Sequence, residues 1–450
     1  MPQAAALHRN QDLASAVKEA EDRYIAANPE SQRLAKLATA NLPGGNTRTT
    51  VHFSPFPLYM ASGKGSKLTD VDGHIYADFI NEYTAGVFGH SNAVVADAVR
   101  QALAGGINLG APTRHERLLA EEVQRRFPAM ELLRFCNSGT EANLLALATA
   151  RAFTGREAVM IFDGAYHGSI LYFGHGGSPL NMKFEWVVSE YNDLARATAD
   201  IAKHAAKLAA VIVEPMQGGA GALAGDPAFL QGLRKACDAH KVLLVLDEVM
   251  TSRVDYGGVQ RKYGIKPDLM TLGKYVGGGL SFGAFGGRAD IMARFDPSRP
   301  DAYPHGGTFN NNVLAMCAGH AALTQVLSED RLKRMNDLGD SLRQRLNTLA
   351  ARHDVPMVAT GLGSIFGIHF HKGEIRNAGD LDRFEHGREA SINSVKKLFH
   401  LDMLAAGHYI SRRIMGNLSI ESSAEEVDAF CAAVEEFLVA RGPVVRAALG

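Results

Sequence analysis

Residues 242–250, VLLVLDEVM, place two carboxylates directly after five consecutive aliphatic residues. A continuous apolar run of this kind is typical of a strand that is buried on both faces of a parallel sheet. Three further runs have the same character and alternate with stretches of helical periodicity: AVMIF (158–162), AAVIVE (209–214) and DLMTLGK (268–274). We therefore predict an α/β fold in which helices cover both faces of a mostly parallel sheet.

The segments on either side of this region have different periodicities. Residues before about 40 have the pattern of polar amphipathic helix, up to the breaker NLPGGN at 41–46. Residues 57–80 contain alternating apolar positions and the turn signal DVDG, which predicts short antiparallel strands. Residues 328–355 have the spacing of one long amphipathic helix. Both ends of the chain are thus predicted to mix helices with short strands.

Composition and charge restrict the class of protein. The chain has 450 residues, of which 46% are hydrophobic and 21% are charged, as in an ordinary soluble globular protein. Its net charge of -1 argues against a nucleic acid or an acidic membrane as the partner. The sequence lacks both the apolar core of a signal peptide and an apolar stretch of about 18 residues. We expect a cytoplasmic protein without a membrane span.

The cysteines do not form a recognisable framework. They are scattered, without a CxxC pair or the spacing of zinc ligands: Cys136, Cys237, Cys317 and Cys431. Disulfides are rare in cytosolic proteins, so we expect four reduced thiols. No metal site is predicted.

Four of the predicted strands end in groups that could take part in chemistry. They are the turn Ser138–Thr140, Glu214, Asp247 and Lys274. The turn contains small residues and precedes a helix, whose positive N-terminus favours a phosphate. Because ligands bind at the carboxyl ends of parallel strands, we expect all four groups at one edge of the sheet. Each one alone also has an ordinary explanation, such as a helix cap or a surface charge.

Lys274 lies in TLGKYVGGGLSFGAFGG (271–287), among apolar and glycine residues. Burial disfavours an ammonium group, so this lysine is predicted to have a lowered pKa and to react as an amine with an aldehyde. The glycines allow a cofactor to approach the backbone closely. An amine, an acid for a pyridinium nitrogen and a phosphate seat together indicate pyridoxal phosphate.

The chain resembles the class-III aminotransferases of the fold-type I pyridoxal phosphate enzymes, from LPGGNTR (42–48) to its end. Six motifs occur in the family's order: NSGTEANLLALATAR (137–151), FDGAYHG (162–168), VEPMQG (213–218), LDEVMTS (246–252), TLGKYVGGG (271–279) and GTFNNN (307–312). The resemblance implies a large domain, residues 81–325, on a mostly parallel seven-stranded sheet flanked by helices. It also implies a small α+β domain from residues 1–80 and 326–450.

The resemblance further implies the roles of individual residues toward pyridoxal phosphate. Lys274 would bond the cofactor's aldehyde and move the proton, and Asp247 would hold the pyridine nitrogen protonated. Tyr166 would stack on the ring, with Glu214 supporting the site beside it. The remaining expected cofactor residues are Ser138, Gly139, Thr140, His167, Met250 and Thr308. A structural, hydrogen-bonded role for His167 stays open.

Two of these positions carry further implications. Met250 stands where many members have glutamine, so the usual side-chain contact to the ring oxygen is in question. Thr308 would reach the phosphate of the neighbouring subunit, which implies a homodimer with shared active sites.

The branch of the family is indicated by other segments. LDEVMTS is closer to the glutamate semialdehyde aminomutases, but GGNTRTT (44–50) and HYISRRIMGNLS (408–419) depart from their pattern. The greatest resemblance is to aromatic β-amino acid aminotransferases, such as those for β-phenylalanine. It rests on INEYTAGVFGHS (80–91) and LGKYVGGGLSFGAFGGRADIMARFDP (272–297).

In that branch, two arginines bind the substrate carboxylates. Arg48 would bind the carboxylate of the β-amino acid, and Arg413 that of the keto acid, with Arg412 as an adjacent alternative. A guanidinium group suits this role because its planar fork pairs with both carboxylate oxygens. Surface arginines without a ligand remain the ordinary explanation.

We therefore expect an aminotransferase that moves an amino group from a β-amino acid to 2-oxoglutarate or pyruvate by a ping-pong mechanism. A transaminase of simple amines, with Arg48 idle, is the first alternative, and an aminomutase the second. A regulator that only binds the cofactor is disfavoured, because Lys274, Asp247 and the phosphate turn are all present. The sequence leaves open the donor, the acceptor, the stereochemical preference and any assembly beyond a dimer.

Overall fold

The computed structural model describes residues 12–174 and 176–450. The strands are β1 (Met60–Lys64), β2 (Lys67–Asp70), β3 (Ile75–Asp78), β4 (Leu132–Cys136), β5 (Ala158–Phe162), β6 (Glu185–Ser189), β7 (Leu208–Val213), β8 (Met216–Gln217), β9 (Leu223–Ala224), β10 (Leu243–Asp247), β11 (Leu269–Gly273), β12 (Gly283–Gly287), β13 (Val358–Leu362), β14 (Ile365–His369), β15 (His408–Tyr409) and β16 (Met415–Asn417).

Helices precede, separate and follow these strands. They are α1 (Leu13–Ala27), α2 (Pro29–Ala38), α3 (Ala93–Gly105), α4 (Arg114–Arg126), α5 (Gly139–Thr154), α6 (Leu194–His204), α7 (Pro227–His240), α8 (Gly258–Tyr263), α9 (Ala289–Met292), α10 (Val313–Ala321), α11 (Glu329–Arg352), α12 (Ala378–Glu385), α13 (Glu389–Ala405) and α14 (Ala424–Leu449).

The largest sheet has seven strands in the order β4-β12-β11-β10-β7-β5-β6. Only β12 runs antiparallel to its neighbours β11 and β4, while the other pairs are parallel. Every residue of β5, β7, β10 and β11 is buried, as the continuous apolar runs predicted. The prediction of a mostly parallel seven-stranded sheet is therefore confirmed.

Helices cover both faces of this sheet, and strand β10 shows how. Leu244 and Leu246 pack in the cluster formed with α6 and α7, whereas Val245 packs in the cluster formed with α5. Successive side chains of a strand point to opposite faces. Asp247, two residues after Val245, therefore lies on the α5 side of the sheet.

The two ends of the chain meet in smaller sheets. Strand β3 pairs in parallel with β15, with His408 opposite Ala77, in a sheet of order β1-β2-β3-β15. A second sheet has the order β13-β14-β16. The antiparallel strands predicted within residues 57–80 and the long helix predicted within 328–355 are confirmed. The division into domains at residues 80 and 325 stays a prediction.

The helical N-terminal segment is divided into two helices. Helix α1 ends at Ala27 and α2 begins at Pro29, which lacks an N–H and suits the first position of a helix. The predicted helix therefore breaks at Asn28. Its first part, residues 1–11, lies outside the described residues.

Three further properties of the chain concern its cysteines, membrane-spanning helices and metal-binding clusters. Cys136, Cys237, Cys317 and Cys431 are buried free thiols. In residues 12–174 and 176–450, no helix has the length and apolar character needed to cross a bilayer. The same residues contain no cluster of three or more His, Cys, Asp or Glu side chains arranged to hold a metal ion.

A buried ion pair joins the two ends of the chain. Arg441 Nε in α14 lies 3.0 Å from Asp402 Oδ2 in α13, and both side chains are fully buried. Arg23 in α1 also pairs with Asp402, and Glu19 in α1 pairs with Arg441 at 3.3 Å. Breaking a buried pair is costly because a charge is left without its partner.

We predict that Arg441→Met destabilises the fold by about 1–3 kcal/mol, because the buried Asp402 carboxylate loses one charged partner and keeps Arg23. Thermal unfolding measures the effect as a lowered midpoint. Replacing both partners, Arg441→Met with Asp402→Leu, should recover much of the loss. An Arg441→Met protein that melts like the wild type would contradict this prediction.

Candidate active site

Asp247 ends strand β10 and is held by side chains from neighbouring elements. Asn143 Nδ2 in α5 donates to Asp247 Oδ2 at 2.7 Å, and His167 Nδ1 lies 2.7 Å from the same oxygen. Thr271 Oγ1 in β11 donates to Asn143 Oδ1 at 2.6 Å, which fixes the orientation of the amide. Asp247 is only 4% exposed. The carboxylate is therefore fixed in direction and its charge is compensated by donors.

His167 lies in the loop after β5 and is buried beside Asp247. Burial disfavours the charged imidazole, but the carboxylate of Asp247 outweighs this effect and raises the pKa of His167. A carboxylate can only accept, so Nδ1 is the donor to Asp247. Nε2 is buried without a hydrogen-bond partner among the described residues. The arrangement gives His167 a structural contact, and a direct contact to a cofactor stays a prediction.

Lys274 directly follows strand β11 and has a strained backbone. Its φ is 54°, in the left-handed region that a residue with a Cβ rarely adopts. Strain of this kind is concentrated at functional sites. Burial lowers the pKa of Lys274 to about 8, while the charges of Asp247 and Glu214 partly oppose that shift. The amine is therefore more reactive near neutral pH than that of an ordinary lysine.

Glu214 follows strand β7 and supports the segment that carries Tyr166. Its Oε2 accepts a hydrogen bond from Tyr166 N at 2.9 Å, and its Oε1 accepts one from Gly218 N at 3.1 Å. Burial raises the pKa of Glu214 to about 7. The Tyr166 side chain is left 42% exposed, so its ring offers a free surface at the site. Met250 packs against Gly218, where any Cβ would overlap its sulfur.

The phosphate turn Ser138–Thr140 forms the start of helix α5. Ser138 is the N-cap, and its Oγ accepts a hydrogen bond from Glu141 N at 3.1 Å. The first N–H groups of a helix have no intrahelical carbonyl partner and attract an anion. The prediction of a helix N-terminus at this turn is confirmed, while phosphate binding stays a prediction.

Close contacts hold the phosphate turn against the other strand ends. A Cβ at Gly139 would lie 2.7 Å from Val249 Cγ1, and a Cβ on Gly168 would overlap the side chain of Thr140. Glycine is therefore needed at both positions for the segments to meet.

Thr308 lies on an exposed loop at 306–312. Asn310 in the same loop accepts a hydrogen bond from Asn137 Nδ2 at 3.0 Å, which attaches the loop beside the phosphate turn of its own chain. Whether Thr308 reaches the phosphate of a second subunit stays a prediction.

Arg48 and Arg413 lie on the side of the site that contains Tyr83 and Tyr166. Burial raises the pKa of both tyrosines, and the charges of Arg413 and Arg48 oppose the rise in each case. The charges of Arg48 and Arg413 therefore both act on Tyr166, the residue that the resemblance places beside the cofactor ring. Arg48 and Arg413 are 365 positions apart in the sequence, and the charges of both oppose the rise in the pKa of the same two tyrosines.

Arg412 differs from its neighbour Arg413. Burial lowers the pKa of His400 to about 3, and Arg412 adds to that shift, whereas no such influence of Arg413 on His400 is found. Both arginines line a cavity of about 440 Å³ that extends from Gly218–Gly221 to α12 and α13. A cavity of this size suits a small organic substrate. The role of Arg413 toward the acceptor stays a prediction, with Arg412 as the adjacent alternative in the same cavity lining.

Three residues of the site were missed by sequence reasoning. Asn143 and Thr271 orient Asp247, and Val249 packs against the phosphate turn. Asn143 lies within the motif NSGTEAN, but its target is 104 positions away in the chain. No local pattern indicates that contact, which depends on how α5 packs on the sheet.

The assembled groups fit pyridoxal phosphate. An amine of lowered pKa, a fixed carboxylate and a helix N-terminus occupy one edge of the sheet, and a nitrogen of His167 is buried without a partner among the described residues. Residues 49–396 match the sequence profile of the family described as aminotransferase class-III. The chain belongs to the class-III aminotransferases. It is a pyridoxal phosphate-dependent transaminase.

Individual class-III relatives are similar over nearly the whole chain. The β-phenylalanine transaminase of Variovorax paradoxus is 46% identical over 430 residues, covering 96% of this chain and 97% of the relative. A crystal structure of a β-phenylalanine aminotransferase from the same organism superimposes with a TM-score of 0.93 at 45% identity, covering 96% of this chain and 99% of the other.

Two further structures extend the comparison. A transaminase with bound pyridoxal phosphate has a TM-score of 0.83 and 30% identity, covering 94% of this chain and 99% of the other. A glutamate-1-semialdehyde aminomutase from Pseudomonas aeruginosa PAO1 has a TM-score of 0.86 and 25% identity, covering 95% and 98%. The relation to the aminomutases that LDEVMTS indicated is confirmed.

We predict that Lys274 in the cofactor-free protein is acylated by a small reagent with a midpoint near pH 8, because burial disfavours its charged form. Mass spectrometry of the Lys274 peptide across a pH series measures the midpoint. Asp247→Asn should lower it further, since the Asp247 charge favours the ammonium. A midpoint at the ordinary value of 10.5 would contradict the prediction.

Proposed function

We propose that this transaminase moves an amino group from an aromatic β-amino acid to a keto acid, 2-oxoglutarate or pyruvate, in a ping-pong reaction. Two observations support the proposal: the Arg48 guanidinium lies 5.6 Å from the centre of the Tyr83 ring, and Arg413 lines the cavity at Gly218–Gly221. Two carboxylate-binding groups are what a reaction between an amino acid and a keto acid requires. The similarity to the β-phenylalanine transaminase of Variovorax paradoxus supports this choice of donor.

Pyridoxal phosphate, when bound, supplies an electron-accepting ring that stabilises negative charge on the carbon bearing the amino group. Lys274 would bond it through its amine and, once released, would carry the proton between the two reacting carbons. Asp247 would keep a proton on the ring nitrogen, and its orientation by Asn143 and His167 favours that task.

Other residues would hold the cofactor in place. The N–H groups at Gly139 and Thr140 would bind the phosphate with Ser138, since they begin helix α5. The exposed ring of Tyr166 would cover one face, with its backbone fixed by Glu214. Met250 would contribute van der Waals contact in place of a polar contact.

Arg48 would orient the donor and Arg413 the acceptor. A guanidinium that binds two carboxylate oxygens restricts both the position and the rotation of a substrate. Arg413 lines the cavity at Gly218–Gly221, where its guanidinium would meet a substrate carboxylate. The 440 Å³ cavity beside it would take the remainder of the substrate.

A transaminase of simple amines is a second candidate. Arg48 is paired with Glu82, so its charge is already compensated without a substrate carboxylate. Donors that lack a carboxylate would then leave the pair undisturbed.

We also propose a cytoplasmic homodimer in which each chain supplies Thr308 to the cofactor phosphate of the other. In the single chain the loop at 306–312 is exposed, with Phe309 at 58%. An exposed phenylalanine at this position supports the proposal that a second subunit covers the loop.

A donor-by-acceptor panel tests the function. Protein loaded with pyridoxal phosphate should convert β-phenylalanine and 2-oxoglutarate or pyruvate into glutamate or alanine, detected by chromatography. Lys274→Ala should reduce the rate by a factor of about 10⁴ or more, since it removes both the nucleophile and the proton carrier. Turnover of 1-phenylethylamine with no turnover of any β-amino acid would favour the second candidate.

The two arginines should affect opposite substrates. Arg48→Ala is expected to raise KM for the β-amino acid, and Arg413→Ala to raise KM for 2-oxoglutarate, each by about 10- to 100-fold for a lost charged hydrogen bond. Steady-state kinetics with one substrate varied at a time measures each value. Arg412→Ala tests the adjacent alternative in the same cavity lining and should raise KM for 2-oxoglutarate less than Arg413→Ala does. Equal effects of Arg48→Ala on both substrates would contradict the assignment.

A further inference from the structure

Arg48 has an ion-pair partner within its own chain. Its Nη1 donates a hydrogen bond to Glu82 Oε1, and its guanidinium lies 5.6 Å from the centre of the Tyr83 ring. The Arg48 and Glu82 side chains are 45% and 59% exposed, so the ion pair is accessible to solvent and to a substrate. The group proposed to bind the donor carboxylate is thus occupied by a carboxylate of the chain itself.

The backbone that carries Glu82 is unusual. Asn81, Glu82, Tyr83 and Thr84 have φ values of 41°, 50°, 51° and 79°, and none of them is glycine. We call Asn81–Thr84 the left-handed turn. Residues with a Cβ rarely adopt this conformation, and it persists only where the surrounding structure determines it. Consecutive strained residues beside Arg48, the residue proposed to bind the donor carboxylate, point to a function for the turn.

Contacts from both sides hold the left-handed turn. Asn81 Nδ2 donates to the backbone oxygen of Asn417 at 2.7 Å, and Arg253 Nη1 donates to that of Thr84 at 3.3 Å. Tyr83 Oη donates to Thr50 O at 2.6 Å. Thr50 follows Arg48 by two residues, so this bond joins the turn to the segment that carries Arg48. The Glu82 carboxylate is thereby held opposite the guanidinium.

We propose that Glu82 is a specificity-determining residue, whose carboxylate neutralises Arg48 until the carboxylate of a donor displaces it. The inference rests on the proposed role of Arg48 in donor binding. A donor must exchange with Glu82, so its carboxylate binds against an internal competitor. A donor without a carboxylate leaves the pair intact and does not meet an unpaired cation. Glu82 therefore weakens carboxylate donors selectively and allows both kinds of donor in one site.

Glu82→Gln tests the competition. Exposed ion pairs are weak, so the variant should lower KM for β-phenylalanine by about twofold to fivefold. It should lower the inhibition constant of 3-phenylpropanoate, a carboxylate without the amino group, by the same factor. KM for 1-phenylethylamine should not fall, because this donor has no carboxylate to pair with the freed Arg48. The matched control is Glu121→Gln, which removes the same charge from an exposed Arg117 pair on α4.

Two results of this measurement would overturn the inference. One is an unchanged KM and inhibition constant for the two carboxylates. The other is a similar change for 1-phenylethylamine, or for the Glu121→Gln control, because a general loosening or a general charge effect would then explain the data.

A double-mutant cycle with Arg48→Gln separates the inference from the proposed function. Glu82→Gln should have no further effect on KM for β-phenylalanine once Arg48 is replaced, and a full effect in that background overturns the inference. If Arg48→Gln raises KM for β-phenylalanine but Glu82→Gln alone leaves it unchanged, the inference fails and the proposed function stands. If Arg48→Gln leaves KM unchanged, the role of Arg48 fails, and the inference fails with it.

Discussion

The carboxylate of Asp247 depends on a hydrogen-bond network that joins the sheet to helix α5. Asn143 donates to it from the helix, and Thr271 fixes the Asn143 amide from the next strand. A buried carboxylate is costly unless donors compensate it. The position of α5 on the sheet therefore determines two things together, namely the direction of Asp247 and the place of the helix N-terminus at Ser138–Thr140.

The parts of the fold that the sequence predicted are those with a local pattern. Strands β5, β7, β10 and β11 were predicted because each is a continuous apolar run, and β7, β10 and β11 lead directly to Glu214, Asp247 and Lys274. Strand β12 has the sequence GAFGG, in which Phe285 alone has a high strand propensity. Its glycines fit because a Cβ at Gly283 would overlap the backbone of Ser138. That reason is visible only when the neighbouring strand is in place.

The same distinction applies to the site. Lys274 and Asp247 were predicted from their positions at strand ends, and the fold places both at one edge. Arg413 was predicted from the resemblance, and the structure places it with Arg412 in the lining of one cavity. The left-handed turn had no signal, because its conformation is imposed by Asn417 and Arg253 from elsewhere in the chain. Contacts of this kind depend on tertiary structure and not on residue type.

The parallel pairing of β3 with β15 has a consequence for biosynthesis. Strand β3 emerges from the ribosome long before β15, which pairs with it through His408 and Ala77. Until then, β3 is the unprotected edge of its sheet, and such edges promote aggregation. Domains fold as units during translation. All seven strands of the central sheet are therefore synthesised before β15 becomes available to pair with β3.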